Sequence, residues 1–329
     1  MAKTSVCILL TCHNRGETTL RSLNSIDDEE FKIDYLIVDD ASTDGTAELL
    51  RTWNEKEASG SAKAYTDDIP HRKSEGSLKI IEGNGNLYWA GGMRKGMEML
   101  LKLDEKTGST QELQQGEGRR IQRIVSYDYL MMINDDVKFY PKTIQKMIKR
   151  SQDKGNMPIT GATCSRTVEN SDTDMPDKDS KNASVSYGGV LYDMKRAKPR
   201  QMDISEADKQ PVDTMNCNCF LMPWEIFRKA GAFDSHYIHS LADYDYGFTL
   251  KRLGYKVWLS DTYIGECDDN PVKGTWRDTT LPRLTRLKKK ESVKGLPKEQ
   301  WYYYLKKNFG LRQAVWHSIT SFIRILIGK

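Results

Sequence analysis

The residues best suited to chemistry in this chain are carboxylates that end apolar runs. In YDYLMMINDDVKFY, Tyr127 to Tyr140, an apolar run from Tyr129 to Ile133 stops at Asn134-Asp135-Asp136. Short apolar runs bounded by polar residues read as buried strands. Two adjacent carboxylates where a strand leaves the core repel each other and need solvent, a donor or a cation. Hard oxygens on a short turn suit Mg²⁺ or Mn²⁺, and such a cation suits a diphosphate. The same residues can simply start a turn and cap a helix near Pro141, and taken alone the two roles are equally open. A second cluster, Asp243 and Asp245 in LADYDY, opens a helix that runs to Leu253 and ends at Gly254. Acidic residues at a helix start interact well with the dipole, so local grounds alone require no chemistry there. Two such clusters, far apart in sequence and both at element ends, are harder to assign to chance.

The elements that position these groups come from the hydrophobic pattern. Ser5 to Leu10 is an apolar strand ending in Thr11-Cys12-His13-Asn14-Arg15, with a helix from Glu17 to Ile26. Tyr35 to Val38 is a second strand, ending in Asp39-Asp40, and Ser42 or Thr43 can cap the helix from Thr46 to Trp53. Strand, polar loop, helix, twice over, opens a doubly wound parallel sheet. Such sheets bind ligands beyond the carboxyl ends of their strands, where both loops and Asp135-Asp136 fall. Leu78 to Ile81 is a third strand. It leads into GNGNLYWAGGMRKG, where glycines can bring backbone N–H groups to a ligand ahead of a helix from Gly92 to Leu103, or can form a plain turn. Polar stretches at Glu55–Ser77, Asp104–Arg123 and Arg166–Ser184 read as loops, Val185 to Tyr192 as a hairpin arm, and Arg196 to Lys209 as a surface excursion. Thr214 to Met222 and Tyr255 to Leu259 are the late strands, with a short helix at Trp224–Ala230 between them.

Composition bounds what the chain can be. The 329 residues fit one α/β domain with a tail, at 38% hydrophobic and 29% charged. Six cysteines lie scattered behind no signal peptide, which predicts reduced thiols in a cytoplasmic protein. Cys217-Asn-Cys219 has no second pair nearby to complete a zinc site. No apolar run reaches the length of a membrane span. The net charge of +4 is unevenly placed: from Pro271 onward 14 Lys or Arg face 3 Asp or Glu, a balance of +11, so the rest carries −7. A basic tail on an acidic body predicts an anionic surface as partner. Within the tail, Leu311 to Ile327 carries apolar residues at helical spacing, suited either to a bilayer surface or to packing on the body.

Taken in order, VCILLTCHNRGE, LIVDDASTDGT, NLYWAGGMRKG, INDDV, AGAFD and ADYDYGFTLKRLGYKV resemble the family 2 glycosyltransferases of the GT-A type. Within that family the chain looks like the bacterial rhamnosyltransferase-like enzymes that build surface polysaccharides. The resemblance covers about Ser5 to Glu266, and KGLP with WYYYLKKNFG resembles the C-terminal extension of one subgroup. It implies a GT-A fold, with a doubly wound, mostly parallel, Rossmann-like sheet and a basic helical extension. The glycosyltransferase domain would be 1–270, with its nucleotide-sugar half about 1–140 and its acceptor half about 141–270, and the extension 271–329.

The same resemblance implies roles by position. Thr11 and His13 would line the nucleobase pocket, with His13 stacking on the base, and Asp39 and Asp40 would hold base and ribose. The Gly91-Gly92 loop would pass over ribose and diphosphate. Asn14, Arg15, Asn86 and Arg94 would join them as nucleotide-sugar-binding residues. Asn134-Asp135-Asp136 matches the family's D-x-D motif, with Asp136 as the Mn²⁺ or Mg²⁺ ligand. Asp243 matches the catalytic base, with Asp245 as a supporting carboxylate. Two positions depart from the pattern: Asn134 replaces the first acidic residue, and Gly265-Glu266-Cys267-Asp268 stands where a late histidine ligand is common, leaving Glu266 or Asp268 to substitute.

The implied reaction is inverting sugar transfer from a nucleoside-diphosphate donor, dTDP- or UDP-linked with L-rhamnose as the first choice. The implied acceptor is a lipid-linked glycan at the inner face of the membrane. No nucleic-acid partner is expected, and the aromatic tail (Trp301 to Tyr304, Trp316) suits a homodimer contact. A nucleotidyltransferase would usually show a basic Gly-rich signature after the first strand, whereas TCHNRGE has a single glycine. A non-catalytic binding module would be expected to lose Asp136 or Asp243, and both are present.

Overall fold

The computed structural model describes residues 3–54, 76–108, 126–165 and 184–328. The loops expected at Glu55–Ser77, Asp104–Arg123 and Arg166–Ser184 fall mostly outside them. The first strands are β1 (Ser5–Cys12), β2 (Lys32–Asp39), β3 (Leu78–Glu82) and β4 (Tyr129–Ile133), all mutually parallel, with β1 between β2 and β4. From Val6 to Cys12 every residue of β1 is buried, because helices cover both faces of the sheet. The alternation of a strand then divides the core. Val6, Ile8 and Leu10 face a cluster shared with α1 (Gly16–Asn24), α2 (Thr46–Asn54) and α4 (Thr143–Asp153). Cys7 and Leu9 face the opposite cluster, shared with α3 (Tyr88–Gly108).

The sheet continues past β4 by a long-range insertion. β11 (Cys219–Pro223) lies antiparallel between β4 and β6 (Ile159–Cys164), and β12 (Trp258–Glu266) and β5 (Lys138–Phe139) complete the row. A short strand, β7 (Val185–Tyr187), pairs with β6 off that row. A separate antiparallel sheet has β8 (Gly189–Asp193) between β9 (Lys198–Gln201) and β10 (Thr214–Met215). Helices α5 (Trp224–Ala230) and α6 (Ala242–Arg252) follow β11, and the tail holds α7 (Arg283–Glu291), α8 (Lys298–Phe309) and α9 (Leu311–Leu326).

Several boundaries differ from expectation for physical reasons. Helix α3 begins at Tyr88 and runs to Gly108, so Gly91 and Gly92 are helical residues rather than a loop over a ligand. Gly92 is glycine because the helix presses on β1: a Cβ there would overlap Thr11 Oγ1 and lie 2.9 Å from Thr11 Cβ. The hairpin is β8–β9, not 185–192. The stretch read as a surface excursion buries Met202, Ile204 and Ala207. The last strand is β12, starting at Trp258, so Glu266 is a strand residue paired with Lys138.

The tail is anchored rather than loose. Lys307 of α8 reaches Asp234 at 2.8 Å and Asp245 of α6 at 2.7 Å, while Asn308 donates to the other oxygen of Asp245 at 3.0 Å. Tyr304 is fully buried and shares a hydrogen bond of 2.9 Å with Tyr192 of β8. It is core, and of the aromatic residues assigned to a dimer contact Trp316 stays well exposed. Two tail cations also turn inward: Arg286 donates to the Trp276 carbonyl, and Lys290 bonds Glu291 and the Leu296 carbonyl. Helix α9 covers Ala314, Ser318, Ser321 and Ile325 against the body. Leu311, Val315, Trp316, Ile319, Ile323 and Leu326 face outward over an arc of roughly 140° at 100° per residue.

Candidate active site

A cleft of about 1980 Å³ opens at the carboxyl edge of the parallel strands. The register Thr11↔Val38 and Leu9↔Met132 brings the ends of β1, β2 and β4 to that edge together. Thr11, His13, Arg15, Asp40, Asn134, Asp135, Asp136 and Asp243 line the cleft, although the two acidic motifs lie far apart in sequence.

The first wall is a web of polar loops. His13 Nδ1 lies 2.7 Å from the Asp40 carbonyl, which can only accept, so Nδ1 carries the proton. Nε2 then accepts from Asn14 Nδ2 at 3.2 Å. Asn14, at φ 51°, sits outside the cleft lining and ties the first loop to the second: its Oδ1 accepts from Thr43 N at 2.7 Å and its backbone N–H donates to Ser42 Oγ at 2.8 Å. Asp39 takes both the amide and the hydroxyl of Ser42. Asp40 is engaged too, since its oxygens accept from Gly85 N at 2.8 Å, Leu87 N at 2.9 Å and Tyr88 N at 3.0 Å. The Leu87 and Tyr88 amides are orphan donors at the start of α3, so Asp40 caps that helix from the loop after β2. Asn86 is exposed away from the cleft, and Arg94 turns to the Tyr237 carbonyl and Glu98. Gly91, Gly92, Asn86 and Arg94 therefore do not join the cleft, and the carboxylates of Asp39 and Asp40 are spent on backbone and Ser42.

The acidic motif has an unexpected partner. Arg15 Nη1 lies 2.9 Å from Asp135 Oδ1, and its Nη2 lies 3.1 Å from Asp136 Oδ2. Burial pushes the Asp135 carboxyl up to about 7, against the pull of Arg15 and with the repulsion of Asp136. The Asp136 side chain is 37% exposed, and its Oδ1 meets the Cys267 thiol at 3.8 Å. Asn134 Oδ1 accepts from Trp89 Nε1 at 2.9 Å. Among the described residues, no three His, Cys, Asp or Glu side chains come together as a self-sufficient metal site. Asp136, the more exposed of the two carboxylates, is the one that would hold a hard cation. Glu266 lies off the cleft and accepts from Tyr140 OH at 3.2 Å, whereas Asp268 lines the cleft beside Cys267. Of the two candidates for the missing late ligand, only Asp268 is in reach of the site.

The second wall belongs to α6 and the tail. Asp243 Oδ1 accepts from Tyr244 N at 2.9 Å. Burial raises its carboxyl to about 6, opposed by the amides of Tyr244 and Cys217 and by the Asn216 side chain. A carboxylate in that range is poised to take a proton near neutrality. Leu241, just before α6, has φ 73°, a conformation costly for a non-glycine residue and frequent at functional sites. Asp245 does not join Asp243. Residues two apart on a helix point roughly 200° apart, and Asp245 faces the Lys307–Asn308 clamp, only 2% exposed.

Residues that the motifs did not flag complete the cleft. Asn216 and Asn218 line it between β10 and β11, where a continuous strand was expected. Lys195 and Arg196 of the β8–β9 turn and Lys198 at the start of β9 line the cleft together with Arg312, Trp316 and Arg324 of α9. His317 bonds the Arg196 carbonyl at 2.8 Å and Gln313 bonds that of Lys195, joining the arm to the tail. The basic residues carried a charge signal in sequence, but their convergence is tertiary.

Residues 7–100 match the family described as Glycosyl transferase family 2, which covers under a third of the chain. No curated protein matches the sequence. Among solved structures, the chain is similar to the mannosyltransferase PcManGT from Pyrobaculum calidifontis, seen in complex with GDP-Man and Mn²⁺. The TM-score is 0.51 at 13% identity, over 99% of this chain and 75% of that one. Residues 1–349 of TarS from S. aureus, in complex with UDP-GlcNAc, align over 98% of this chain and 81% of that one, with TM-score 0.46 and 10% identity. The shared architecture is the GT-A fold.

Proposed function

We propose that this chain is an inverting glycosyltransferase that moves a sugar from a nucleoside diphosphate to a hydroxyl acceptor. The observation that carries this is the meeting of Asp243 with Asn134-Asp135-Asp136 in one cleft at the carboxyl edge of a GT-A sheet. The family match over residues 7–100 supports the nucleotide-sugar side. Inversion needs an acceptor hydroxyl deprotonated on the face opposite the leaving diphosphate, and Asp243, raised to about 6, is the group suited to accept that proton. The His13 ring, fixed by Asp40 and Asn14, offers its face to the base. When bound, Mn²⁺ or Mg²⁺ supplies positive charge for the departing diphosphate, and Asp136 is the residue that would hold it.

The donor we favour is dTDP- or UDP-linked, with L-rhamnose first, on the motif resemblance. The acceptor we favour is a lipid-linked glycan of a surface polysaccharide. The exposed apolar arc of α9 supports it, because that arc borders the cleft and Arg312 lies within it. On this reading the protein works at the inner face of the membrane, attached through residues 271–329. Among the described residues, no helix is long and apolar enough to cross a bilayer.

The test is a binding and turnover screen of purified protein against nucleotide sugars, with and without Mn²⁺. One donor should bind and be consumed, and Asp243→Asn should retain donor binding while transfer falls to background. Undiminished transfer by that variant removes Asp243 from the base role.

A further inference from the structure

Arg15 bridges the two carboxylates of the acidic motif. Its guanidinium spans the two carboxylates, at 2.9 Å from Asp135 Oδ1 and 3.1 Å from Asp136 Oδ2. Arg15 is the N-cap residue of α1, but its side chain makes no capping bond and turns to the carboxylates instead. Nor is the contact a buried structural ion pair: the Arg15 side chain is 45% exposed at the cleft mouth, over an Asp135 side chain that is 9% exposed. Two carboxylates adjacent in the chain cannot both stay ionised in a half-buried site without a counter-charge. A divalent cation drawing on the same lone pairs must displace the guanidinium from at least Asp136. A freed guanidinium is a planar fork that pairs two oxygens of a diphosphate in parallel.

We propose that Arg15 is an exchangeable counter-cation. It neutralises Asp135 and Asp136 in the empty site, cedes Asp136 to the divalent cation, and turns to the donor's diphosphate. Free cation then competes with Arg15, whereas cation arriving with a nucleoside diphosphate gives Arg15 a new anion. Metal and nucleotide bind cooperatively, and Arg15 sets the strength of that coupling. This rests on the reading of the cleft as a nucleoside-diphosphate site.

The experiment is Mn²⁺ binding by electron paramagnetic resonance on the full chain, first with the metal alone and then with nucleoside diphosphate added. Arg15→Gln should bind Mn²⁺ alone about ten-fold more tightly than wild type, and nucleotide should improve its Mn²⁺ affinity about ten-fold less than it does for wild type. Arg15→Lys, which keeps the charge but holds one carboxylate at a time, should fall between the two and guards against a misfolded glutamine variant. Unchanged Mn²⁺ affinity in both variants, with melting temperatures near wild type, overturns the proposal. The metal-alone arm needs no nucleotide. Failure of every nucleoside diphosphate to bind therefore counts against the glycosyltransferase reading, while the exchange at Arg15 is decided by the metal alone.

Discussion

Replacing Lys307 with methionine removes a tail cation that pairs with both Asp234 and Asp245. Lys307 Nζ lies 2.8 Å from Asp234 and 2.7 Å from Asp245, and the Asp245 side chain is only 3% exposed. After the change Asp245 keeps Asn308 as its side-chain donor, and Asp234 keeps Tyr303 and His236. Breaking a buried pair by removing one partner costs about 3 to 5 kcal/mol, and the 28% exposure of Lys307 favours the low end, about 3 kcal/mol. For a chain of this size that corresponds to a fall in Tm of about 4 °C. Urea and thermal denaturation measure it, and adding Asp245→Asn to Lys307→Met should restore about half of the loss by neutralising the stranded charge. The pH dependence carries a sign. Burial works to raise Asp234, but its donors, His236 N–H first and then Lys307 and Tyr303, hold it well below its ordinary 3.8. A depressed carboxylate contributes stability that is present above 3.8 and lost as pH falls below it toward the folded value. The gap between wild type and Lys307→Met should therefore narrow below about pH 4. A destabilisation under about 0.5 kcal/mol at pH 7, the size of an ordinary surface change, would refute the clamp.

Transfer activity should fall as pH drops through about 6, because Asp243 must be ionised to act as base and burial holds its carboxyl there; a rate profile with its midpoint near 3.8 contradicts this. Gly92→Ala pushes a methyl into Thr11 of β1 and should cost about 2 kcal/mol in chemical denaturation, with no effect expected if α3 can slide. Ile319→Ser with Ile323→Ser should abolish sedimentation with anionic vesicles yet leave the melt unchanged, since those side chains are 54% and 46% exposed; retained sedimentation would move the contact elsewhere.

The parallel strands were legible because helices on both sides of the sheet force continuous apolar runs, as in β1 and β4. The ends of elements were less so. GNGNLYWAGG looked like a loop because glycine usually marks a turn, yet Gly92 serves close packing on Thr11, and the cap that starts α3 is Asp40, 48 residues before Tyr88. Asp243 and Asp245 looked like one cluster in the linear string, and helical geometry sends them to opposite tasks. Glu266 and Asp268 were interchangeable as text, and only the pairing of β12 with β5 separates them. The acidic motif was found by its residue types, whereas its neutralisation by Arg15, 120 residues earlier, is a fact of the sheet order alone.

The position of β11 has a consequence for how the chain acquires its form. One edge of β4 pairs with β1, but the other waits for a strand that begins at residue 219, and β6 lies beyond that strand. A fragment ending near residue 140 would expose the β4 edge, an apolar template for pairing with another molecule. The stretches of chain before and after residue 140 thus share one sheet and a single folding fate. Contacts this distant in sequence close slowly, so the hazard of misassembly concentrates in the interval before β11 arrives.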